Sequence, residues 1–301
     1  MMSIGIAKAL GVLRSVVIAA ALGVFLAACG SAETVRLPES PVVFPSEAVR
    51  FARPGHLKQT ILFRPSEGSG PFPAIVILPT CGGMASHIYD WAERLIGAGY
   101  VALLVESNTA RGSPNNCSNP PPIKYDQQVV DAGVALEHLR RLPIVDRNRL
   151  GVMGLSFGAG VGLRMASESY QRALPYGADG LRAVASFYPW CARAGRGFDS
   201  RDIFTEGLPS DIVTPTIMFL GAIDDETLPR PCTERADRMK AEGKPINYKL
   251  YPDTTHSFDS RENGTAGRTV RGRFFYRYNP AATEDAWREL KDFFGRNLKR
   301  P

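Results

Sequence analysis

The 301-residue sequence is short of several things at once. It holds five cysteines, four histidines and three tryptophans. No two cysteines stand in C-x-x-C spacing, which removes the usual signatures of a zinc or dithiol redox site. No unbroken run of about 20 apolar residues is present, so no segment has the length of a membrane-spanning helix. Lys and Arg are scattered and never form a stripe interleaved with aromatics, which leaves nucleic-acid binding without support. No internal repeat is visible, and this argues against a solenoid. What remains is a chain that is 44% hydrophobic with a formal charge of +6, long enough to bury one large core.

The N-terminus reads as a processing signal. Lys8 and Arg14 precede an apolar stretch, Ser15 to Phe25, and "LAAC" (Leu26 to Cys29) follows. An apolar residue, two small residues and a Cys in that order form a bacterial lipobox, so Cys29 is expected to carry lipid as the first mature residue. Residues 1–28 are then a lipoprotein signal peptide and 29–45 a lipidated tether with three prolines. Residues 46–301 form one folded domain. The expected location is exported and membrane-anchored, facing the periplasm or cell surface, without a span across the bilayer. Removing Lys8 and Arg14 leaves 34 basic against 30 acidic residues, or +4. The one local excess, Arg261, Arg268, Arg271, Arg273 and Arg277, reads as a solvated loop. After Cys29, Cys81, Cys117, Cys191 and Cys232 remain. Export and an even count suggest two disulfides, and four cysteines allow three pairings.

Continuous apolar, β-branched runs mark strands buried on both faces: "FPAIVILP" (Phe72 to Pro79), "VALLVES" (Val101 to Ser107), "RLGVMGLS", "AVASFYP" (Ala183 to Pro189) and "TIMFLGA" (Thr216 to Ala222). "INYKLYP" (Ile246 to Pro252) adds another. Helical spacing predicts helices over His87 to Tyr100, Tyr125 to Leu142, Phe157 to Ser169, Arg230 to Gly243 and Ala281 to Leu298. Alternation of the two types implies an α/β domain, a mostly parallel central sheet flanked by helices on both faces. "AVRFARP" and "QTILFRP" are expected to form an antiparallel pair at one edge.

Within that order, "GVMGLSFGAG" sets Ser156 between Gly154 and Gly158, with a strand before it and a helix after it. This is the context of a nucleophile elbow, where glycines allow a sharp turn that lifts the hydroxyl off the sheet edge toward a helix N-terminus. A serine hydroxyl needs a base to take its proton. His138 lies on an amphipathic helix, His87 opens one, and His56 precedes the second strand. His256, in "YPDTTHSFD" after the last predicted strand, has the right position. The acid should fall after the strand from Thr216, where Asp224 and Asp225 are adjacent and Asp224 is favoured. The chain order Ser156, Asp224, His256 is that of an α/β-hydrolase. The N–H of Phe157 and one from "PTCGGM", Cys81 first and Gly82 next, are the expected oxyanion donors. Such a site has no need of a metal or cofactor.

With "PTCGG", "GLSFGAG", "GAIDDETLPRPC" and "TTHSFD" in sequence, the chain resembles the dienelactone hydrolase-like family of α/β-hydrolases from about Phe72 to Leu298. The resemblance implies the α/β-hydrolase fold, an ester substrate, and roles at Cys81, Ser156, Asp224 and His256, with Phe258 as an aromatic packed behind the base. Pro79-Thr80 stands where relatives usually carry His-Gly. The dienelactone enzymes use a Cys nucleophile with a nearby loop Glu, and no Glu lies between Leu78 and Met84, so a general carboxylic ester is the expected substrate. In that layout Cys81 and Cys117 follow adjacent strands, as do Cys191 and Cys232, which implies disulfides Cys81–Cys117 and Cys191–Cys232. Arg111, in the loop "NTARGSPNNCSNPPP", is a candidate for binding a substrate carboxylate. The expected function is a lipid-anchored serine esterase. The alternatives are a non-catalytic ligand-binding lipoprotein, or a peptidase, thioesterase or acyltransferase on the same triad.

Overall fold

The computed structural model describes residues 39–44, 60–118, 121–192 and 207–299. The signal segment, Cys29, most of the tether, "AVRFARP" and His56 lie outside the described residues.

Seven strands form one sheet in the order β1-β3-β2-β4-β5-β6-β7. They are β1 (Ile61–Phe63), β2 (Phe72–Leu78), β3 (Val101–Leu104), β4 (Val145–Leu155), β5 (Leu181–Phe187), β6 (Thr216–Gly221) and β7 (Ile246–Tyr251). All neighbours are parallel except β1, which runs antiparallel to β3 with Ile61 opposite Leu104. The "QTILFRP" segment therefore does supply an antiparallel edge strand, and its partner is β3.

The strands sort their side chains by the two-residue period of a pleated sheet. Along β2, Ala74, Val76 and Leu78 enter one core while Ile75 and Ile77 enter the other. The first core is closed by α3 (Tyr125–Arg141), α4 (Phe157–Met165) and α6 (Pro229–Ala241) through residues such as Val129, Leu136, Val161 and Met239. The second is closed by α1 (Ser86–Gly97) and α7 (Pro280–Phe294) through Ile88, Trp91, Leu95, Leu290 and Phe294. Burial on both faces is why the strands read as unbroken apolar runs.

Two differences from the sequence reading have local causes. The helix expected over Phe157 to Ser169 breaks at Ser167, and a short helix α5 (Glu168–Ala173) follows. Asp211 caps the new start: its carboxylate accepts from Ser167 Oγ at 2.6 Å and from the Ser169 N–H at 2.8 Å, and its carbonyl takes the Glu168 N–H at 3.0 Å. The arginine-rich stretch expected as a solvated loop instead forms a hairpin, β8 (Arg268–Val270) with β9 (Phe274–Tyr276). It is anchored because Asp225 accepts the Phe275 N–H at 3.0 Å and Glu226 binds both Arg271 and Tyr276.

Candidate active site

The turn between β4 and α4 is a tight one. Ser156 sits at φ 52°, ψ −112°, a region that L-residues rarely occupy and that costs on the order of 1–3 kcal/mol. The surroundings hold it there. Its N–H donates to Phe187 O at 2.9 Å, and the Gly158 N–H donates to Pro79 O at 3.0 Å. A Cβ on Gly154 would come within 2.1 Å of Gly158 O, and one on Gly158 within 2.3 Å of Leu78 O. Both glycines are therefore set by close backbone approach. Phe157 opens α4, so its N–H has no intrahelical acceptor.

His256 follows β7 and Asp224 follows β6, and the parallel sheet brings both to the edge where β4 ends. His256 Nε2 lies 3.0 Å from Ser156 Oγ, and His256 Nδ1 lies 2.7 Å from Asp224 Oδ2. All three side chains are buried. Asp224 also accepts the N–H groups of Glu226 (2.9 Å) and Thr227 (2.8 Å) and the Thr227 hydroxyl (2.7 Å). Asp225 points to the hairpin instead, which separates the roles of the two adjacent aspartates.

Burial disfavours the His256 imidazolium, but the charge and hydrogen bond of Asp224 outweigh it and raise the pKa above the ordinary imidazole value. The Asp224 carboxylate is likewise disfavoured by burial, and His256 and Thr227 outweigh this to lower its pKa. Asp224 thus stays ionised across the range in which His256 titrates. Acceptance of a proton from Ser156 needs neutral His256. A rate that depends on it should fall as pH drops through the raised value, with its acid limb above the ~6.5 of a free imidazole. A pH profile of kcat/KM checks this; an acid limb well below that value would contradict it.

Beside Ser156 lies a cavity of about 510 Å³, lined among others by Cys81, Cys117, Phe157, Trp190, Arg273 and Phe274. The Gly82 N–H turns to Thr80 Oγ1 at 3.3 Å, which leaves Cys81 rather than Gly82 as the loop's candidate donor. Asn108 Nδ2 (3.0 Å) and the Asn116 N–H (2.8 Å) both donate to Cys81 O and fix the peptide that follows the candidate donor. The structure pairs Cys81 with Cys117 and Cys191 with Cys232, as the layout implied. Closing loops of 36 and 41 residues stabilises by roughly 4 kcal/mol each in the chain-entropy estimate. The melting temperature should therefore fall on reduction. Intact mass should rise by four hydrogens with reductant, and a mass that does not change would refute the pairing.

Not every residue singled out from sequence arrives here. Arg111 does not: its guanidinium donates to both carboxylate oxygens of buried Asp131, at 2.9 and 2.8 Å, and to Gln127 O at 3.0 Å. A guanidinium so engaged is not available to a substrate carboxylate, and that expectation is withdrawn. His87 lies buried on α1 and His138 stacks on Phe44, both outside the cavity lining. Phe258 is fully buried and packs on Tyr188, whose ring in turn meets His256 at 4.6 Å between centroids. The residues that sequence reading missed are Glu226, Thr227, Trp190 and the hairpin's Arg271, Arg273 and Phe274. No local spacing signals them, because they come from the segment after β5, the acid loop after β6 and a hairpin, joined only by folding.

The chain matches the model of the "Dienelactone hydrolase family" over residues 59–298. A protein of Methylorubrum extorquens with the name "Putative carboxymethylenebutenolidase" is 25% identical over 241 residues, 76% of this chain and 74% of that protein. A Synechocystis protein of the same name is 23% identical, covering 88% of this chain and all of its own length. Among solved structures, an esterase of Thermogutta terrifontis with butyrate bound superposes with a TM-score of 0.56 at 17% identity, over 78% of this chain and 87% of that one. At that identity the likeness concerns the fold, which is the α/β-hydrolase fold. With the match running from the edge strand to the last helix, the chain belongs to the dienelactone hydrolase family.

Proposed function

We propose that the protein is a serine carboxylesterase acting through Ser156, His256 and Asp224. The observation that carries this reading is the unbroken chain from Ser156 Oγ to His256 Nε2 (3.0 Å) and from His256 Nδ1 to Asp224 (2.7 Å). Ser156 Oγ attacks the ester carbonyl as its proton passes to Nε2, and Asp224 stabilises the imidazolium. The N–H groups of Phe157 and Cys81 receive the tetrahedral oxyanion. The C–O bond to the alcohol breaks as His256 returns the proton to the leaving oxygen. Water, deprotonated by the same imidazole, then releases the acid and restores Ser156.

A fluorophosphonate probe tests this directly. Labelling should fall on the peptide that carries Ser156 and should block hydrolysis of a panel of esters of varied acyl length. A folded protein that neither labels nor hydrolyses any ester would instead be a ligand-binding module. Preference for an amide, thioester or second acyl acceptor would keep the triad and change the reaction. Because Cys81 lies in the oxyanion loop, opening its disulfide should lower kcat as well as stability. We also place the enzyme at a membrane through lipid on Cys29, supported by the order of charged, apolar and "LAAC" segments. Palmitate incorporation that is lost in Cys29→Ala is the expected result; equal incorporation in the variant would overturn it.

A further inference from the structure

Behind His256 lie two buried ionisable groups that the chemistry above leaves unused. Asp259 is 3% exposed. Its Oδ2 accepts the Trp91 indole N–H at 2.6 Å and its Oδ1 the Tyr188 hydroxyl at 2.8 Å. Among the described residues it has no ion-pair partner. A buried carboxylate held only by neutral donors is a costly way to fill a core, which asks what the arrangement does.

Tyr188 is the second group, and it stands where three parts of the site meet. The carbonyl just before it, Phe187 O, accepts the Ser156 N–H at 2.9 Å. Its own carbonyl accepts from Thr227 Oγ1 at 3.2 Å, the hydroxyl that also donates to Asp224. Its ring lies 4.6 Å from the His256 ring at 62°. The backbone is at φ 41°, an outlier for a bulky side chain that persists only where its surroundings hold it. Burial first, and then Asp259, push the Tyr188 pKa well above the ordinary phenol range, so the hydroxyl remains the donor. The Trp91 indole arrives from α1, the helix that follows the oxyanion loop.

We propose that Asp259 is a positioning residue that acts through Tyr188. By anchoring the hydroxyl, it holds the tyrosine ring against His256 and keeps the strained backbone at 188 in place. The physical need is plain. Hydrogen bonds at Nδ1 and Nε2 restrain the two torsions of the His256 side chain, and a ring packed against the imidazole narrows the play that those bonds leave. The other groups facing His256 are Asp224, Glu226, Arg271 and the ring of Tyr276. The inference rests on the triad reading of the preceding section.

The test compares Asp259→Asn with Tyr188→Phe, which keeps the ring. Both should lower kcat on a short-chain aryl ester by roughly tenfold or more with KM within about twofold, since a small misplacement of a reacting group carries that scale of loss. The double variant should lose no more than the worse single one. The His256 imidazole, followed by NMR titration, should move to lower pH in Asp259→Asn, because a ring freed from its packing on Tyr188 loosens its bond to Asp224, the group that raises its pKa. If melting temperature alone falls, with kcat, KM and the His256 titration at wild-type values, the network is a structural bridge and the proposal is wrong. Should Asp259→Asn not fold, Tyr188→Phe decides by the kcat and KM comparison. The titration needs no substrate, so it decides the role of Asp259 even if no ester is hydrolysed and the esterase reading fails.

Discussion

Ser156→Ala is expected to cut kcat for a short-chain aryl ester by about 10⁴- to 10⁶-fold, the scale seen when a triad nucleophile is removed. The substitution deletes one oxygen and leaves the bend intact, because the φ of 52° is imposed by the Phe187 and Pro79 carbonyls and by the close approach at Gly154 and Gly158. Melting temperature should therefore stay near that of the native protein, and KM should change far less than kcat. Residual activity would come from the oxyanion donors and binding alone. Steady-state kinetics with the variant purified free of native enzyme make the measurement. Hydrolysis within tenfold of the native rate would remove Ser156 from the mechanism.

The second large effect separates two neighbours. Asp224→Asn should lower kcat by about 10⁴-fold, because an amide in place of the carboxylate leaves His256 in the wrong tautomer to accept the Ser156 proton. Asp225→Asn should cost less than about tenfold, since Asp225 only accepts the Phe275 N–H from outside the buried chain and a surface change of this kind is small. The native acid limb, set by His256 with Asp224 beside it, should move to lower pH in Asp224→Asn, because the lost anion no longer favours the imidazolium. Comparable losses in the two variants, or a larger loss at Asp225, would reassign the acid.

The elements of the candidate site were legible because most of their signals are local. Gly154 and Gly158 around Ser156 announce a sharp turn in the local sequence, although the atoms that demand them are Gly158 O, four residues on, and Leu78 O at the end of β2. The strand runs announce burial on both faces, and the order of strands places Asp224 and His256 at the edge where Ser156 emerges. Asp224 and Asp225 stand equally near the strand end in sequence, with Asp224 favoured, and the His256 bond to Asp224 is what separates them. The misreadings have one origin. Arg111 is as visible in sequence as His256, yet Asp131 on α3, twenty residues on, takes its charge. The arginines after His256 are largely exposed, as expected, but Asp225 and Glu226, some fifty residues earlier, hold the segment from Arg268 as a hairpin rather than a loop.

From the sequence by itself came the fold class and the candidates for nucleophile, acid, base and oxyanion loop, because period, turn chemistry and chain order are written along the chain. Tertiary structure alone decided which cations remain free to meet a substrate, what walls the cavity, and that Trp91 and Tyr188 converge on Asp259. A charge or a buried carboxylate is defined by the partner that reaches it. That partner is chosen by packing across distant strands and helices, where no spacing in the chain records it.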